Sequence, residues 1–156
     1  MYLLSLSQAC SAHGEVTLSS STNITIREEG LEAARGFLSE LLGRYLKLVL
    51  RRGQLSGTGA SVAFVIRSDV SRWTEFAPEA IREVSDIDSF EIEIVGPPQP
   101  QVTISGRTPL AAGYGVMAFL EDHLRVHWAF PGELGLCLPE AGRVDLAEGI
   151  YRERPF

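Results

Sequence analysis

An α+β fold, a mixed β-sheet packed against two main helices, is what this chain predicts, and three stretches carry the prediction. Ser61-Val62-Ala63-Phe64-Val65-Ile66-Arg67 is short and nearly all apolar, the signature of a central strand covered on both faces. Phe90, Ile92 and Ile94, then Val102 and Ile104, alternate with polar neighbours on either side of Gly96-Pro97-Pro98-Gln99, which reads as a hairpin. Thr108-Pro109 opens an apolar helix running to His123. The Thr108 side chain can accept from a first-turn amide, and Pro109 lacks only an N–H that no helix partner needs there.

The remaining elements follow in chain order. Residues 1–13 have weak periodicity and read as a loosely ordered arm, leaving 14–156 as a single α/β domain. Val16 and Leu18, then Ile24 and Ile26 after Ser19-Ser20-Ser21, give two short strands or one hairpin. Glu28 to Tyr45 reads as an amphipathic helix. Leu31, Ala34, Leu38, Leu41, Leu42 and Tyr45 fall at helical steps, with Glu28, Glu29 and Glu32 at the end where the helix dipole favours acids. Arg44 and Lys47 sit toward the other end. Alternation after Gly43 favours a strand over Leu46–Leu50, and Gln54–Gly59 is a turn. Pro78 can start a short helix through Ala80, Ile81 and Val84. Val126-His127-Trp128 is a short strand, and from Phe130 the chain reads as loop, with Leu134, Leu136 and Leu138 as anchors. The pattern is that of a sheet with helices rather than a long series of βαβ units.

Composition excludes several classes. With 156 residues the chain suits one domain with a real core. An apolar share of 45% and mean hydropathy of +0.07 argue against a disordered linker. A net charge of -6 gives no electrostatic attraction to nucleic acid or anionic lipid, and Lys47, Arg51 and Arg52 read as an edge or loop rather than a binding patch. Cys10 and Cys137 are too few for a disulfide scaffold; a single bridge between them competes with two buried or incidental thiols. Met1–Leu6 is only briefly apolar and lacks a basic flank, a poor signal peptide that leaves secretion open. Asn23-Ile24-Thr25 matches a glycosylation sequon and reads as a chance match, and no run is long enough to span a bilayer.

No reaction centre stands out. His123 and His127 have the outer spacing of a zinc helix, but Leu124 occupies the place of the required Glu. His123 reads instead as a helix C-terminal cap and His127 as an edge residue. Gly53, Gly57 and Gly59 lack the phosphate-loop Lys, and Gly113-Tyr114-Gly115 lies inside a helix, where glycine trades about 1 kcal/mol of propensity for close packing. Glu121 and Asp122 diverge on their helix, and Glu91 and Glu93 share one strand face expected to be solvated. Neither pair makes an acid/base couple. No serine elbow, Cys-His signature or kinase loop is present. Two groups stand out as contact surfaces for an adjacent domain or a saccharide. The first is the loop Ser105-Gly106-Arg107-Thr108, where Gly106 can take an unusual φ and Arg107 can reach a partner. The second is an aromatic corner of Trp128, Phe130 and Pro131.

Between Val102 and Pro139 the chain resembles the non-catalytic N-terminal α/β domain found before the barrel of alpha-glucuronidases and related glycoside hydrolases, including beta-N-acetylhexosaminidases. The matching residues are Thr103-Ile104-Ser105-Gly106, then Ala112-Gly113-Tyr114-Gly115-Val116-Met117-Ala118-Phe119-Leu120-Glu121, then Val126-His127-Trp128-Ala129-Phe130-Pro131-Gly132-Glu133-Leu134-Gly135 and Pro139. The family commonly has Gly where this chain has Arg125 and Arg where it has His127.

The resemblance implies a zincin-like fold without the metal motif, with no catalytic residue, metal or cofactor in this chain and the catalytic carboxylates in a downstream barrel. It implies Arg107, His127, Trp128 and Glu133 as substrate or interdomain contacts. Gly106, Thr108, Pro109, Gly113, Tyr114, Gly115, Phe119, Glu121, Pro131 and Gly132 become the structural motif. Partners would be that barrel and an oligosaccharide, with neither nucleic acid nor membrane, in a bacterial periplasmic or secreted parent. The chain ends near Arg154-Pro155-Phe156, about where the barrel would begin, and so reads as an excised module or a lone relative. A free-standing carbohydrate-binding module and an independent hydrolase are the alternatives.

Overall fold

The computed structural model describes residues 14–31, 36–51, 60–68, 87–140 and 142–153. Their main element is a five-stranded mixed sheet. In chain order its strands are β2 (Asn23–Glu29), β3 (Ser61–Ser68), β4 (Phe90–Val95), β5 (Gln101–Gly106) and β9 (Gly149–Glu153), and in space they run β2-β3-β5-β4-β9. β2, β3 and β5 are mutually parallel, and β4 lies antiparallel to both β5 and β9. Two small ribbons complete the architecture. One pairs β1 (Glu15–Leu18) with β8 (Val144–Ala147), and the other pairs β6 (His127–Trp128) with β7 (Leu136–Cys137). The α+β class read from the sequence is the class observed.

Helices α1 (Phe37–Leu50) and α2 (Pro109–Ala118) lie side by side on one face of the sheet. The core between them joins Leu38, Leu42, Leu46 and Val49 to Phe64, Ile66, Ile92, Ile104 and Val116. Phe119 is fully buried there, its ring meeting Phe64 edge-on with centroids 5.6 Å apart. Such a side chain contributes about 2–3 kcal/mol by leaving water. The predicted central strand and hairpin both form as read, at β3 and β4–β5.

The first helix is where the sequence pattern misleads. Glu28 and Glu29 belong to β2, and α1 starts only at Phe37. The acidic signal was nevertheless chemically meaningful. Gly36 N donates to Glu28 Oε2 at 2.6 Å and Ser39 N donates to Oε1 at 2.7 Å, so the carboxylate caps α1 from the neighbouring strand. Burial opposes ionisation of Glu28, but these backbone donors outweigh it and hold the carboxyl below its ordinary range. Leu46–Leu50, read as a strand, continues α1 because Leu42, Leu46, Val49 and Leu50 keep a helical face on the core. Lys47 is therefore helical and Arg51 is its cap, while Arg52 lies outside the described residues.

Other readings are settled or changed. Of the two alternatives for 15–29, two short strands form and not a hairpin: β1 pairs with β8, tied by Thr17 Oγ1 donating to Asp145 Oδ1 at 2.7 Å. The face of β4 expected to be wet is so only in part, with Glu93 half-buried and Val95 exposed. Glu91 is buried and accepts from Arg152 Nε of β9 at 2.7 Å, and β9 comes from a region read as loop. Leu134, read as an anchor, is 93% exposed, whereas Leu136 and Leu138 do pack on the core. The arm at 1–13, the Gln54–Gly59 turn and the helix expected after Pro78 lie outside the described residues, as does Cys10, while Cys137 is exposed rather than buried.

Candidate functional site

The loop between β5 and α2 is built by close approach. A Cβ on Gly106 would overlap the backbone nitrogen of Ala112, so glycine is required here by the helix lying against the strand. The unusual φ expected at Gly106 is not the reason, since the positive-φ glycines among the described residues are Gly30, Gly36 and Gly132. Thr108 caps α2 as read, its Oγ1 accepting from Ala111 N at 3.1 Å, and Pro109 takes the first helical position. Arg107 is half-buried; its N–H donates to Ser89 O at 3.3 Å and its carbonyl accepts from Ser68 Oγ at 3.4 Å.

Further along, Gly115 supplies the close packing assigned to it. A Cβ there would come 2.7 Å from Ile104 Cγ2. Among the described residues Gly113 meets no such constraint, since the nearest atom to its Cβ would be Leu38 Cδ2 at 3.7 Å. After Ala118 the helix widens into a π-turn over Phe119–His123, closed by Leu124 N donating to Phe119 O at 3.1 Å. Leu124, not His123, occupies the cap. The His123 ring stacks on Phe119 at 5.3 Å and meets Tyr151 edge-on at 4.7 Å. Burial lowers its pKa from the ordinary value, Asp122 opposes that shift and Arg125 adds to it. An imidazole wedged between two aromatic rings replaces the helix cap expected from its position.

Arg125 then reverses the chain with φ 57, a left-handed conformation normally left to glycine. It delivers His127 and Trp128 to β6. His127 is exposed, while Trp128 is half-buried and meets Tyr45 of α1 edge-on at 5.3 Å. Glu133, in the 3-10 turn Glu133–Gly135, accepts from Arg44 Nη2 at 2.6 Å, both side chains being largely exposed. These two contacts stitch the 127–137 ribbon to α1. Phe130 stays out of the aromatic corner at 54% exposure, and Pro131 and Gly132, the latter at φ 103, are exposed.

The predicted contact residues therefore form two groups. His127, Trp128 and Glu133 gather beside α1, whereas Arg107 sits at the opposite end of α2. Fifteen residues of helix and π-turn separate the ends, a span of about 20 Å. Among the described residues, no group of three His, Cys, Asp or Glu side chains converges on a metal position. Exposed Glu121 and Asp122 point to solvent.

A feature missed in the sequence lies on α2 itself. α2 has no charged residue, and although its inner side packs on the sheet, Leu110 is 60% and Tyr114 39% exposed. Phe37 at the start of neighbouring α1 is 63% exposed. Isolated exposed apolar residues are ordinary, but a helix apolar on every side is normally covered. The signal was present in the composition of Pro109–Ala118 and was read only as packing against the sheet.

No protein-family profile matches this chain, and no curated protein matches it. Among solved structures it is similar to the GH20 beta-N-acetylhexosaminidase from Streptomyces coelicolor A3(2), with 15% sequence identity and a TM-score of 0.41. That likeness covers 92% of this chain and 24% of the other, so the chain spans about a quarter of that protein's length.

Proposed function

We propose that this chain is a non-catalytic accessory domain of a carbohydrate-active enzyme, packing through its helical layer against a downstream catalytic barrel. The observation that carries the reading is α2, which has no charge on any side and an outward surface of Leu110 and Tyr114 beside Phe37. An exposed strip of that kind marks an interface. The motif resemblance over 102–139 supplies the kind of partner. It is supported at a point the resemblance did not need, since Arg125 holds a left-handed φ of 57 where the family commonly carries Gly. Arg107 at one end of α2 and His127 at the other would border the barrel, with either loop able to edge a glycan cleft. A free-standing carbohydrate-binding module finds less support, because Trp128 is half-buried and held edge-on to Tyr45, and Phe130, the other ring of the expected corner, stands apart from it at 54% exposure.

The test is a Leu110→Asp/Tyr114→Asp double variant made both in the isolated chain and in the full natural gene product. Leu110 is 60% and Tyr114 39% exposed, so the isolated chain loses only the part of each side chain already buried, about 1–2 kcal/mol in all. In the parent protein the variant lowers thermal stability and glycan turnover by freeing the domain. Equal effects in both settings would refute docking through this face. Glycan hydrolysis by the purified isolated chain, lost on substituting one of its own carboxylates, would refute the non-catalytic role.

A further inference from the structure

A second surface lies on the other flank of α1, away from α2. Among the described residues β2 pairs with β3 alone, so it forms the sheet edge. Asn23 N donates inward to Ala60 O at 2.9 Å, and backbone direction alternates along a strand. The N–H and C=O groups of Ile24, Ile26 and Glu28 therefore face outward. Beside this edge runs a groove of about 1100 Å³ between β2 and α1. Its floor is apolar, formed by Ile24, Ile26 and Leu46, and Gly43 keeps the helix close. A Cβ on Gly43 would stand 3.4 Å from Ile26 Cδ1. On the rim, Lys47 and Arg51 are exposed, and neither makes an ion pair among the described residues. Arg44 adds a further cation, shared with Glu133, and Glu40 is the acid on the rim.

We infer that this edge and groove bind an extended acidic peptide segment by strand addition to β2. The outward backbone groups supply sequence-independent hydrogen bonds, and the floor takes alternate apolar side chains of the added strand. The rim cations on α1 select acidic residues at the outer of those same α1-facing positions, and such a basic rim stands out in a chain of net charge -6. A second copy of this chain fits poorly, since joining two β2 edges would bring their basic rims together. An anionic oligosaccharide fits poorly too, because among the described residues no aromatic ring lines the groove, and the regular alternation of strand donors and acceptors matches a peptide backbone.

The test uses residues 1–156 and two fluorescein-labelled, end-blocked nonapeptides in which every second residue, the set that faces α1, is valine at the centre and aspartate (or, in the other peptide, lysine) toward the ends, with threonine between, followed by anisotropy. The aspartate peptide should bind saturably and more weakly as salt rises, and the lysine peptide should not bind. Lys47→Glu/Arg51→Glu should weaken binding by about tenfold, the range set by reversing rim charges. Ile24→Pro, which removes one outward N–H, should abolish it with the far-UV spectrum unchanged. Should that variant misfold, the charge-reversal variant still decides the matter. The proposal is overturned by any of four results: no saturable binding, equal binding of both peptides, binding indifferent to the charge reversal, or a polyuronate binding in place of the peptide. Concentration-dependent dimerisation through β2 would overturn it as well.

Discussion

Replacing Gly115 and Gly113 by alanine should move stability in opposite directions, although the two lie two residues apart on one helix. Alanine gains about 1 kcal/mol over glycine in a helix interior, and this applies to both sites. At Gly115 the new methyl would stand 2.7 Å from Ile104 Cγ2 and 3.3 Å from Cβ and Cδ2 of Phe90. Comfortable carbon contacts lie near 3.5–4.0 Å, so the methyl intrudes by about 1 Å on a β-branched side chain that cannot swing away. Overpacking of this kind costs about 1–3 kcal/mol, which outweighs the propensity gain and leaves Gly115→Ala destabilised by about 1 kcal/mol. At Gly113 the nearest atom among the described residues is Leu38 Cδ2 at 3.7 Å, an ordinary contact, so the propensity gain survives. Gly113→Ala should then be more stable by about 0.5–1 kcal/mol. Urea unfolding followed by far-UV circular dichroism reads both values. A Gly115→Ala protein as stable as the parent sequence would refute the claim that α2 rests directly on β5 and β4.

Three further outcomes follow from named contacts. Thr108→Ala removes the acceptor for Ala111 N and should cost about 1 kcal/mol in the same unfolding assay, with Thr108→Ser recovering most of it. Arg125→Gly relieves a left-handed backbone at φ 57 and should stabilise by about 1 kcal/mol; a loss of stability would show that the Arg125 side chain is needed. Burial holds the His123 pKa below its ordinary 6.5, so the unfolded chain binds the proton more readily. Stability is therefore full above about pH 6.5, declines as pH falls from there toward the folded pKa, and levels off beneath it. His123→Phe, which keeps the stack on Phe119, should flatten that decline in thermal melts between pH 7 and 5.

What was legible in the sequence is what local chemistry determines. β3 announced itself because a strand covered on both faces needs a run of apolar residues. The β4–β5 hairpin and the Thr108-Pro109 start followed from alternation and capping in the same way. The failures are long-range. Glu28 does serve the N-terminus of α1, but from an adjacent strand eight residues before Gly36, and charge placement alone cannot distinguish that from a first-turn acid. Glu91 looked solvent-facing because its partner, Arg152, is 61 positions away on an edge strand too short to show its own period. Of the candidate site, the cap and the close contact at Gly115 could be read. That Arg107 and His127 sit at opposite ends of α2, and that Trp128 meets Tyr45 edge-on, required the fold. The apolar strip on α2 was written in the absence of charge across Pro109–Ala118, yet which side faced outward depended on where β5 lay.

Hydroxyl-radical footprinting, comparing the isolated chain with the full natural gene product, tests the accessory-domain reading most directly. Phe37, Leu110 and Tyr114 should be labelled several-fold less in the full product, while Ile150, 54% exposed on the far face of the sheet, should be labelled equally in both. Equal labelling of all four residues would show that nothing covers the helical layer, and would contradict the account.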